Sequence, residues 1–386
     1  MSLLWAFVYG TPYSVTAPGI DFPTAHFSPS FFVPFLLRHT SRYRAYLASS
    51  FTSPPLVTVM RFTFIIPALN EQIHLPRTLE SIFHAVPPHL LGDILVIDNG
   101  SDDLTIQIAQ AAGARPIMGE GLSLGALRNL GVSLTTEDVI VFLDADVALG
   151  ETWAEGIKPL KDKLVHNPEI VSGAWCRVPA SDSWIAHTWA QTDSRSGPVT
   201  HIGSGHLVVT RPAFTRIGGF DESLSTGEDY DLCVRASRIG IPVHAFSEFQ
   251  AFHHGEPQTL RAFVRREFWH GTGDSQSISR TLRSRIALAS IVFGMGHAVL
   301  TISLLTGSSI MFLIGFSMVS APVAALTWRR RSSLNMGKAA SLTLLLYLYL
   351  WARLLAIVLR RVFRSPGRRS PRSLQVHVRA GDELKP

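Results

Sequence analysis

Residues 62–71 read FTFIIPALNE, an apolar run of strand length that gives way abruptly to polar residues. The same pattern recurs as ILVID at 94–98 and as VIVFL at 139–143, each followed by further polar residues. Leu75–Phe83, between the first two runs, spaces its apolar residues at helical intervals, and Leu104–Ala112 does so after the second. This alternation of strands and helices predicts an α/β domain built on a parallel, doubly wound sheet.

Polar clusters follow the predicted strands at the place where such sheets bind ligands, beyond the carboxyl ends of the strands. Pro67–Glu71 follows the first strand, Asp98–Asp103 follows the second, and Asp144–Asp146 follows the strand at 139–143. We therefore expect the three clusters to line a single site.

The segment Asp144-Ala145-Asp146 has the composition of a divalent-cation site. Residues two apart in an extended backbone share a face, so both carboxylates can point to one ion. Hard oxygen ligands suit Mg²⁺ or Mn²⁺, and such an ion can stabilise the charge on a departing diphosphate. The alternative is a polar turn that ends the strand.

Two other acidic segments each have a structural and a functional interpretation. Asp98–Asp103 can contact a nucleobase or ribose, while Ser101 or Asp102 can be the N-cap of the following helix. Gly227-Glu228-Asp229 precedes a helical segment, where acidic residues stabilise the helix dipole. With Asp231 there are three acids within four residues, more than a cap needs, so a carboxylate here is a candidate general base for an acceptor hydroxyl.

The composition joins an acidic part to an apolar and basic part. The 386 residues are 46% hydrophobic and 17% charged, with a mean hydropathy of +0.21. Between Ser275 and Gly381 there are fifteen Arg or Lys residues and no Asp or Glu, whereas the rest of the chain holds 20 basic and 29 acidic residues. This pattern is typical of a cytosolic catalytic domain on a membrane anchor. Nucleic acid is disfavoured as a partner, because the arginines flank apolar runs.

Three apolar segments lie in the basic part, at 286–305, 309–327 and 339–359. The first two are long enough to span a hydrocarbon core of about 30 Å as a hairpin, whereas Arg353 interrupts the third. Arginines at both outer ends of the hairpin, and others after the third segment, favour the cytoplasmic side. We therefore expect a hairpin and an interfacial or re-entrant third segment in the cytoplasmic (inner or plasma) membrane, with the catalytic domain on its cytoplasmic side.

These features predict the domain boundaries. Residues 60–275 are expected to form the catalytic domain, and 276–364 to contain the membrane segments. Residues 1–59 show no sustained period and are interpreted as a poorly structured extension, non-native if Met60 is the true start. Residues 365–386 are expected to be a basic, disordered tail. The two cysteines, Cys176 and Cys233, imply no disulfide framework.

Taken in order, these segments resemble the motifs of family 2 glycosyltransferases, which have the GT-A fold. The matching segments are Phe64–Glu71 (opening strand motif), Ile97–Asp103 (second nucleotide-binding motif), Leu127-Arg128-Asn129 (in place of Ala-Arg-Asn), Phe142–Asp146 (the metal-binding DxD motif), and Ile217–Glu222 with Gly227–Asp229 (acceptor-side signature). The resemblance covers roughly residues 61–270 and implies a doubly wound, mostly parallel GT-A sheet, followed here by C-terminal transmembrane or interfacial helices.

The resemblance also implies a role for each matching residue. The residues that would bind the nucleotide sugar are Pro67, Asn70, Glu71, Asp98, Asn99, Arg128 and Asp144. Asp144 and Asp146 would hold a divalent metal, with His253 as a further ligand; a loop histidine without a ligand is the alternative. Asp229 would be the catalytic base of an inverting displacement, and Glu228 would position the acceptor.

Some residues fall outside these motifs or depart from them. Residues 265–269 lie where processive synthases carry QxxRW, but with Arg in place of Gln and Phe in place of Arg, which disfavours processive synthesis. Arg265 and Arg266 are interpreted as a solvated basic helix face, with phosphate contact as the alternative. Trp184 and Trp189 are interpreted as core residues, with stacking on sugar or lipid as the alternative.

Together these observations predict a membrane-anchored, inverting, non-processive glycosyltransferase. It would use a nucleotide-diphosphate sugar and Mg²⁺ or Mn²⁺ to extend a lipid-linked or membrane-proximal glycan. The alternatives are transfer to a polyprenyl phosphate, a sugar nucleotidyltransferase, and a non-catalytic membrane scaffold that binds nucleotide sugars. The absence of glycine from Pro67–Glu71 disfavours the nucleotidyltransferase, and the joint presence of Asp144, Asp146 and Asp229 disfavours the scaffold.

Overall fold

The computed structural model describes residues 60–180, 183–189, 196–330 and 336–362. The expected N-terminal extension (1–59) and basic tail (365–386) lie outside the described residues. Both cysteines are described, and both are free thiols, as the sequence predicted.

Strands alternate with helices from Phe62 to His253. In the described part of the chain the strands are β1 (Phe62–Ala68), β2 (Leu91–Asp98), β3 (Arg115–Met118), β4 (Val139–Leu143), β5 (Val147–Leu149), β6 (Val171–Gly173), β7 (Gly197–Pro198), β8 (His206–Thr210), β9 (Val243–Ala245) and β10 (Ala251–His253). The helices are α1 (Leu75–Ala85), α2 (Thr105–Ala111), α3 (Leu124–Ser133), α4 (Ile157–Leu164), α5 (Trp184–Trp189), α6 (Arg211–Ile217), α7 (Glu228–Arg238), α8 (Leu260–Asp274), α9 (Ile278–Arg283), α10 (Arg285–Thr306), α11 (Ser309–Arg330) and α12 (Met336–Val362). The three strands predicted from apolar runs are therefore confirmed as β1, β2 and β4.

The main sheet contains eight strands in the order β3-β2-β1-β4-β8-β6-β9-β7. The strands β3, β2, β1 and β4 run parallel, β8 is antiparallel to both β4 and β6, and β9 is parallel to β6. The doubly wound, mostly parallel sheet expected from the sequence is thus confirmed. A separate antiparallel pair, β5 and β10, aligns His253 with Val147. This pairing places His253 beside the chain that carries Asp146.

Alternation along β1 explains why helices cover both faces of the sheet. Phe64 and Ile66 pack in one core with Leu79 of α1, whereas Ile65 packs in the opposite core with Leu127 of α3. Successive side chains on a strand point to opposite faces, so an uninterrupted apolar run belongs to a strand that is buried on both. Every residue of β1 and β4 is buried, and the polar clusters begin where these strands end.

Gly131 allows α3 to lie directly against β1, because a Cβ at this position would be 2.4 Å from Ile65 Cγ2. We expect Gly131→Ala to lower the free energy of unfolding by about 1–3 kcal/mol, the usual cost of overpacking a core. Thermal unfolding of the detergent-solubilised protein measures this loss. Combined with Ile65→Ala, the loss should be smaller than the sum of the two single losses, because the variants share one contact. Wild-type stability of Gly131→Ala would contradict the packing.

Among the described residues, three C-terminal helices are long and apolar enough to cross a membrane, namely Arg285–Thr306, Ser309–Arg330 and Gly337–Leu359. Between the first two, Gly307 has a φ of 66°, the left-handed conformation that commonly ends helices. The two helices approach closely where a Cβ on Gly296 or on Gly315 would lie 3.0 Å from the carbonyl oxygen of the other. Such close backbone approach is typical of packing between membrane helices.

The third apolar helix, α12, packs against α5 and α8. Leu345 and Leu346 share a cluster with Ile185 of α5, Phe263 of α8 and Phe293 of α10. The middle of α12 is therefore covered by protein on one side.

The two tryptophans of α5 lie in different environments. The indole of Trp189 is partly buried against the rings of Phe263 and Tyr349, at centroid distances of 4.8 and 5.1 Å. The core interpretation is thus confirmed for Trp189. It is wrong for Trp184, which is 48% exposed because this short helix buries Ile185 and the residue after it instead.

Candidate active site

Asn70 joins the loops that follow β1 and β2. Its backbone N–H donates to Ser101 Oγ (2.9 Å), and its Oδ1 accepts a hydrogen bond from the Asp102 N–H (3.0 Å). With a φ of 58°, Asn70 adopts the left-handed conformation that Asn tolerates better than most residues. It therefore shapes the edge of the sheet where a nucleotide is expected.

Asp98 is buried at the end of β2 and organises the following turn. Its carboxylate accepts hydrogen bonds from two backbone N–H groups of the turn and from the Ser101 hydroxyl (2.5 Å). The predicted N-cap at Ser101 or Asp102 is wrong, because Ser101 Oγ and the Asp102 N–H instead bond to Asn70 in the loop after β1. The helix α2 begins at Thr105, whose N–H donates to Asp103 Oδ1 (2.9 Å).

Asn99 presents an unused acceptor in this region. Its Nδ2 donates to the Leu122 carbonyl (3.4 Å), while its buried Oδ1 has no hydrogen-bond partner within the described residues. Because nearly all buried polar atoms in proteins are paired, this oxygen is a candidate acceptor for a ligand or for water. Pro67 is buried within β1, opposite Ile97. The nucleotide contacts expected of Asp98, Asn99 and Pro67 stay predictions.

Arg128 joins the end of β4 to the acidic start of α7. Its side chain is 1% exposed, with Nη2 2.8 Å from Asp144 Oδ1 and Nη1 2.6 Å from Glu228 Oε1. Burial alone would lower the pKa of Arg128, but the carboxylates of Asp144, Glu228 and Asp229 raise it, so the guanidinium stays charged. The protein itself therefore engages Arg128, and the contact with nucleotide expected for it stays a prediction.

The loop Gly203–Gly205 connects Asp229 to the segment that carries Asp144. Its Oδ2 accepts a hydrogen bond from the Ser204 N–H (3.0 Å), and its Oδ1 accepts one from the Tyr230 N–H (2.7 Å). The Gly205 carbonyl accepts from the Asp144 N–H (3.2 Å). One short loop thus contacts both the expected base and the expected metal-binding segment.

Asn129, the next residue on α3, holds the loop before α7. Its Nδ2 donates to the Phe220 carbonyl and to Glu222 Oε1, both at 2.9 Å, and its Oδ1 accepts from the Phe220 N–H at 2.9 Å. Consecutive side chains on a helix point in different directions. Leu127 therefore packs in the core, Arg128 bonds to Asp144 and Glu228, and Asn129 holds the loop.

Asp144, Asp146 and His253 form a cluster whose ligand atoms all lie within 4.8 Å of one another. His253 Nε2 is 3.5 Å from Asp146 Oδ1. Burial, followed by the charges of Asp146 and Asp144, raises the pKa of Glu71 to about 7. A cation would relieve this crowding of negative charge, and carboxylates with an imidazole are common ligands of Mn²⁺ and related ions. The side chains therefore fit a divalent cation.

The sequence reasoning considered His254 together with His253 as a metal or phosphate contact, but it missed Gly255 and Glu256, which also lie beside this cluster. A Cβ at Gly255 would lie 1.8 Å from Asp146 Oδ2, so only glycine allows this loop to lie against the carboxylate. The His254 N–H donates to the Asp146 carbonyl (2.8 Å), and Glu256 Oε1 is 3.5 Å from His253 Nδ1. No local motif marks these residues; the one available signal was their position directly after His253.

Comparisons with known proteins agree with this geometry. The family model described as "Glycosyl transferase family 2" matches residues 63–207, and the family model described as "Glycosyl transferase family group 2" matches residues 170–359. A pre-mycofactocin glycosyltransferase of Mycobacterium tuberculosis is 27% identical over 223 residues, which are 54% of this chain and 46% of that protein. The succinoglycan biosynthesis protein ExoA of Rhizobium meliloti is 25% identical over 257 residues, which are 60% of this chain and 76% of that protein.

A solved structure shows the same fold. It is the mannosyltransferase PcManGT from Pyrobaculum calidifontis in complex with GDP-Man and Mn²⁺, with a TM-score of 0.50 and 15% identity, covering 87% of this chain and 97% of that one. The sheet order and the cluster at its edge place the protein in the GT-A-like class of folds. The chain belongs to the family 2 glycosyltransferases. It spans about half the length of the mycobacterial relative.

Proposed function

We propose that this chain is a membrane-associated, metal-dependent glycosyltransferase that transfers a sugar, with inversion, from a nucleotide-diphosphate donor to a hydroxyl of a membrane-associated acceptor. The double ion pair of Arg128 carries the proposal, because it holds Asp144 of the metal cluster and Glu228 of the acidic helix. Asp229 directly follows Glu228. The ion pairs thereby connect the cation site to the helix that carries the base, and a direct displacement requires both.

In the proposed reaction, Asp229 accepts the proton of the acceptor hydroxyl as the hydroxyl oxygen attacks the anomeric carbon. The glycosidic C–O bond forms while the C–O bond to the diphosphate breaks, and that electron pair leaves with the diphosphate. Attack on the face opposite the leaving group inverts the configuration. The N–H groups of Ser204 and Tyr230 hold the Asp229 carboxylate in place, and Glu228, fixed by Arg128, positions the acceptor.

Asp144, Asp146 and His253 would hold the cation, Mg²⁺ or Mn²⁺. When bound, the ion stabilises the negative charge that develops on the departing diphosphate. Asn70 and Glu71 would border the nucleoside, and the Oδ1 of Asn99, which has no partner among the described residues, would accept from a donor group of the base.

The apolar helices support association with a membrane. Arg280 and Arg283 precede the first of them, Arg285 begins it, and Arg329 and Arg330 end the second. These positions favour the cytoplasmic face of the cytoplasmic membrane for the catalytic domain. The third helix packs against α5 and α8 and carries Arg353, which favours an interfacial position over a span. An acceptor anchored in the same bilayer, a lipid-linked glycan, then lies within reach of the site.

A donor screen tests the proposal. Thermal unfolding of the purified full chain with nucleotide-diphosphate sugars should show stabilisation by one base and sugar, and Mn²⁺ should increase it, because a ligand that binds only the folded state raises the unfolding temperature. Offering a lipid-linked glycan or a polyprenyl phosphate as acceptor then separates the two acceptor classes. If no donor stabilises the protein in the presence of Mn²⁺, the proposed function is wrong.

A further inference from the structure

A series of ion pairs connects the third apolar helix to the metal cluster. It begins at Arg353 of α12, whose Nη2 is 3.0 Å from Glu267 Oε2 and whose Nη1 is 2.8 Å from Asp274 Oδ2. Both acids belong to α8, and the side chain of Glu267 is only 3% exposed. A carboxylate so buried needs a paired cation, and Arg353 supplies it from another element.

Arg266 continues this series of ion pairs. Its Nη1 is 2.6 Å from Glu256 Oε2, and its Nε is 3.7 Å from Glu267 Oε1. The side chain is 24% exposed, so the interpretation of Arg266 as part of a solvated helix face is wrong. It lies instead between α8 and the loop that follows β10.

Glu256 is the next residue in the series and faces the histidine of the cluster. With Oε2 bound to Arg266, its other oxygen, Oε1, lies 3.5 Å from His253 Nδ1. That nitrogen is buried and has no hydrogen-bond partner in the part of the chain described. The opposite nitrogen, Nε2, is 3.5 Å from Asp146 Oδ1 and faces the cluster.

The two imidazole nitrogens have complementary roles. A neutral histidine carries one N–H and one lone pair, and the group that accepts from the N–H determines which nitrogen can bind a metal. A carboxylate at Nδ1 leaves the Nε2 lone pair for a cation and also fixes the plane of the ring. Such a partner typically contributes about 10–100-fold to metal affinity.

We propose that Glu256 is the positioning residue of the metal ligand His253, and that Arg266 and Arg353 hold Glu256 in place from α8 and the third apolar helix. This inference rests on the cation site of the proposed function. It adds a physical connection between the seating of α12 and the affinity of the catalytic domain for its cation. The loop is well placed for this, because Gly255 lies directly against Asp146.

The affinity of the detergent-solubilised full chain for Mn²⁺ tests the inference, measured without substrate by electron paramagnetic resonance of free Mn²⁺. Glu256→Gln should raise the Mn²⁺ Kd by about 10-fold or more. Arg266→Gln should act in the same direction, and Arg266→Lys should recover part of the affinity. Arg353→Met should raise Kd by about 5-fold, the lower end of coupling between separate sites, with Arg353→Lys closer to wild type.

Arg61→Gln is the matched control, because it removes one Arg–Glu pair, with Glu137, outside the cluster. It should leave the Mn²⁺ Kd unchanged. Folded Glu256→Gln protein with wild-type affinity would overturn the role of Glu256, and Arg353→Met with wild-type affinity would overturn the connection to α12. A wild-type chain that binds no Mn²⁺, or an Asp146→Ala variant that binds it equally well, would instead remove the cation site of the proposed function.

Discussion

Asp146→Ala is expected to lower kcat by roughly 10³-fold while the protein stays folded. A cation at a departing phosphate contributes several kcal/mol to stabilising the transition state, and about 1.4 kcal/mol corresponds to a factor of ten in rate. Without Asp146, the cluster keeps His253 and Asp144, and Asp144 is shared with Arg128. Initial rates over a range of Mn²⁺ concentrations measure both the loss of turnover and the weaker dependence on metal.

Asp93→Ala is the matched control for this substitution. Asp93 is exposed near the amino end of β2, whereas the cluster lies beyond the carboxyl ends of the parallel strands. Its replacement should leave turnover and metal dependence at the wild-type values. Thermal unfolding should show that Asp146→Ala is folded, and removal of this carboxylate should also lower the pKa of Glu71 from about 7. Wild-type turnover with unchanged Mn²⁺ dependence would exclude Asp146 from the cation site.

Asp229→Asn is expected to lower kcat by about 10²–10⁴-fold, the usual contribution of a general base, with little change in donor affinity. An amide cannot accept the proton of the acceptor hydroxyl, but it has nearly the shape of the carboxylate and can still accept from the Ser204 N–H. Donor affinity, measured by calorimetry with the nucleotide-diphosphate sugar that the screen identifies, separates binding from transfer.

Asp231→Asn provides the matched control on the same helical turn. Asp231 pairs with Arg235 at 2.7 Å and has no part in the proposed reaction. It should transfer sugar at close to the wild-type rate, apart from a small loss of stability. If Asp229→Asn also transfers at the wild-type rate, Asp229 is not the base and another group must accept the proton.

Much of the fold could be predicted because it depends on local patterns. The runs of β1, β2 and β4 are apolar at consecutive positions, as strands buried on both faces require. The apolar residues of α1 recur at helical spacing, which places Leu75, Leu79 and Ile82 on its buried face. The N-cap prediction failed for a tertiary reason, since Ser101 bonds to Asn70 across the loops rather than to its own helix.

The types of residue in the candidate site could be predicted from the sequence, but the contacts between them could not. The motif Asp144-Ala145-Asp146 and the pair Glu228-Asp229 each stand out by composition. Their meeting depends on Arg128, which lies 100 residues before Glu228 and is buried between both segments. Nothing around Arg128 in the sequence distinguishes a buried double ion pair from an exposed contact with a nucleotide.

The sequence by itself determined the order and type of the elements, the acidic residues at the edge of the sheet and the apolar helices after them. These follow from side-chain periodicity and chemistry within short stretches of chain. Only the tertiary structure decided which charges meet: Arg128 with Asp144 and Glu228, and Arg353 with Glu267, 86 residues away. The reason is physical, because a buried charge is stable only beside its partner, and packing of distant segments brings that partner into contact.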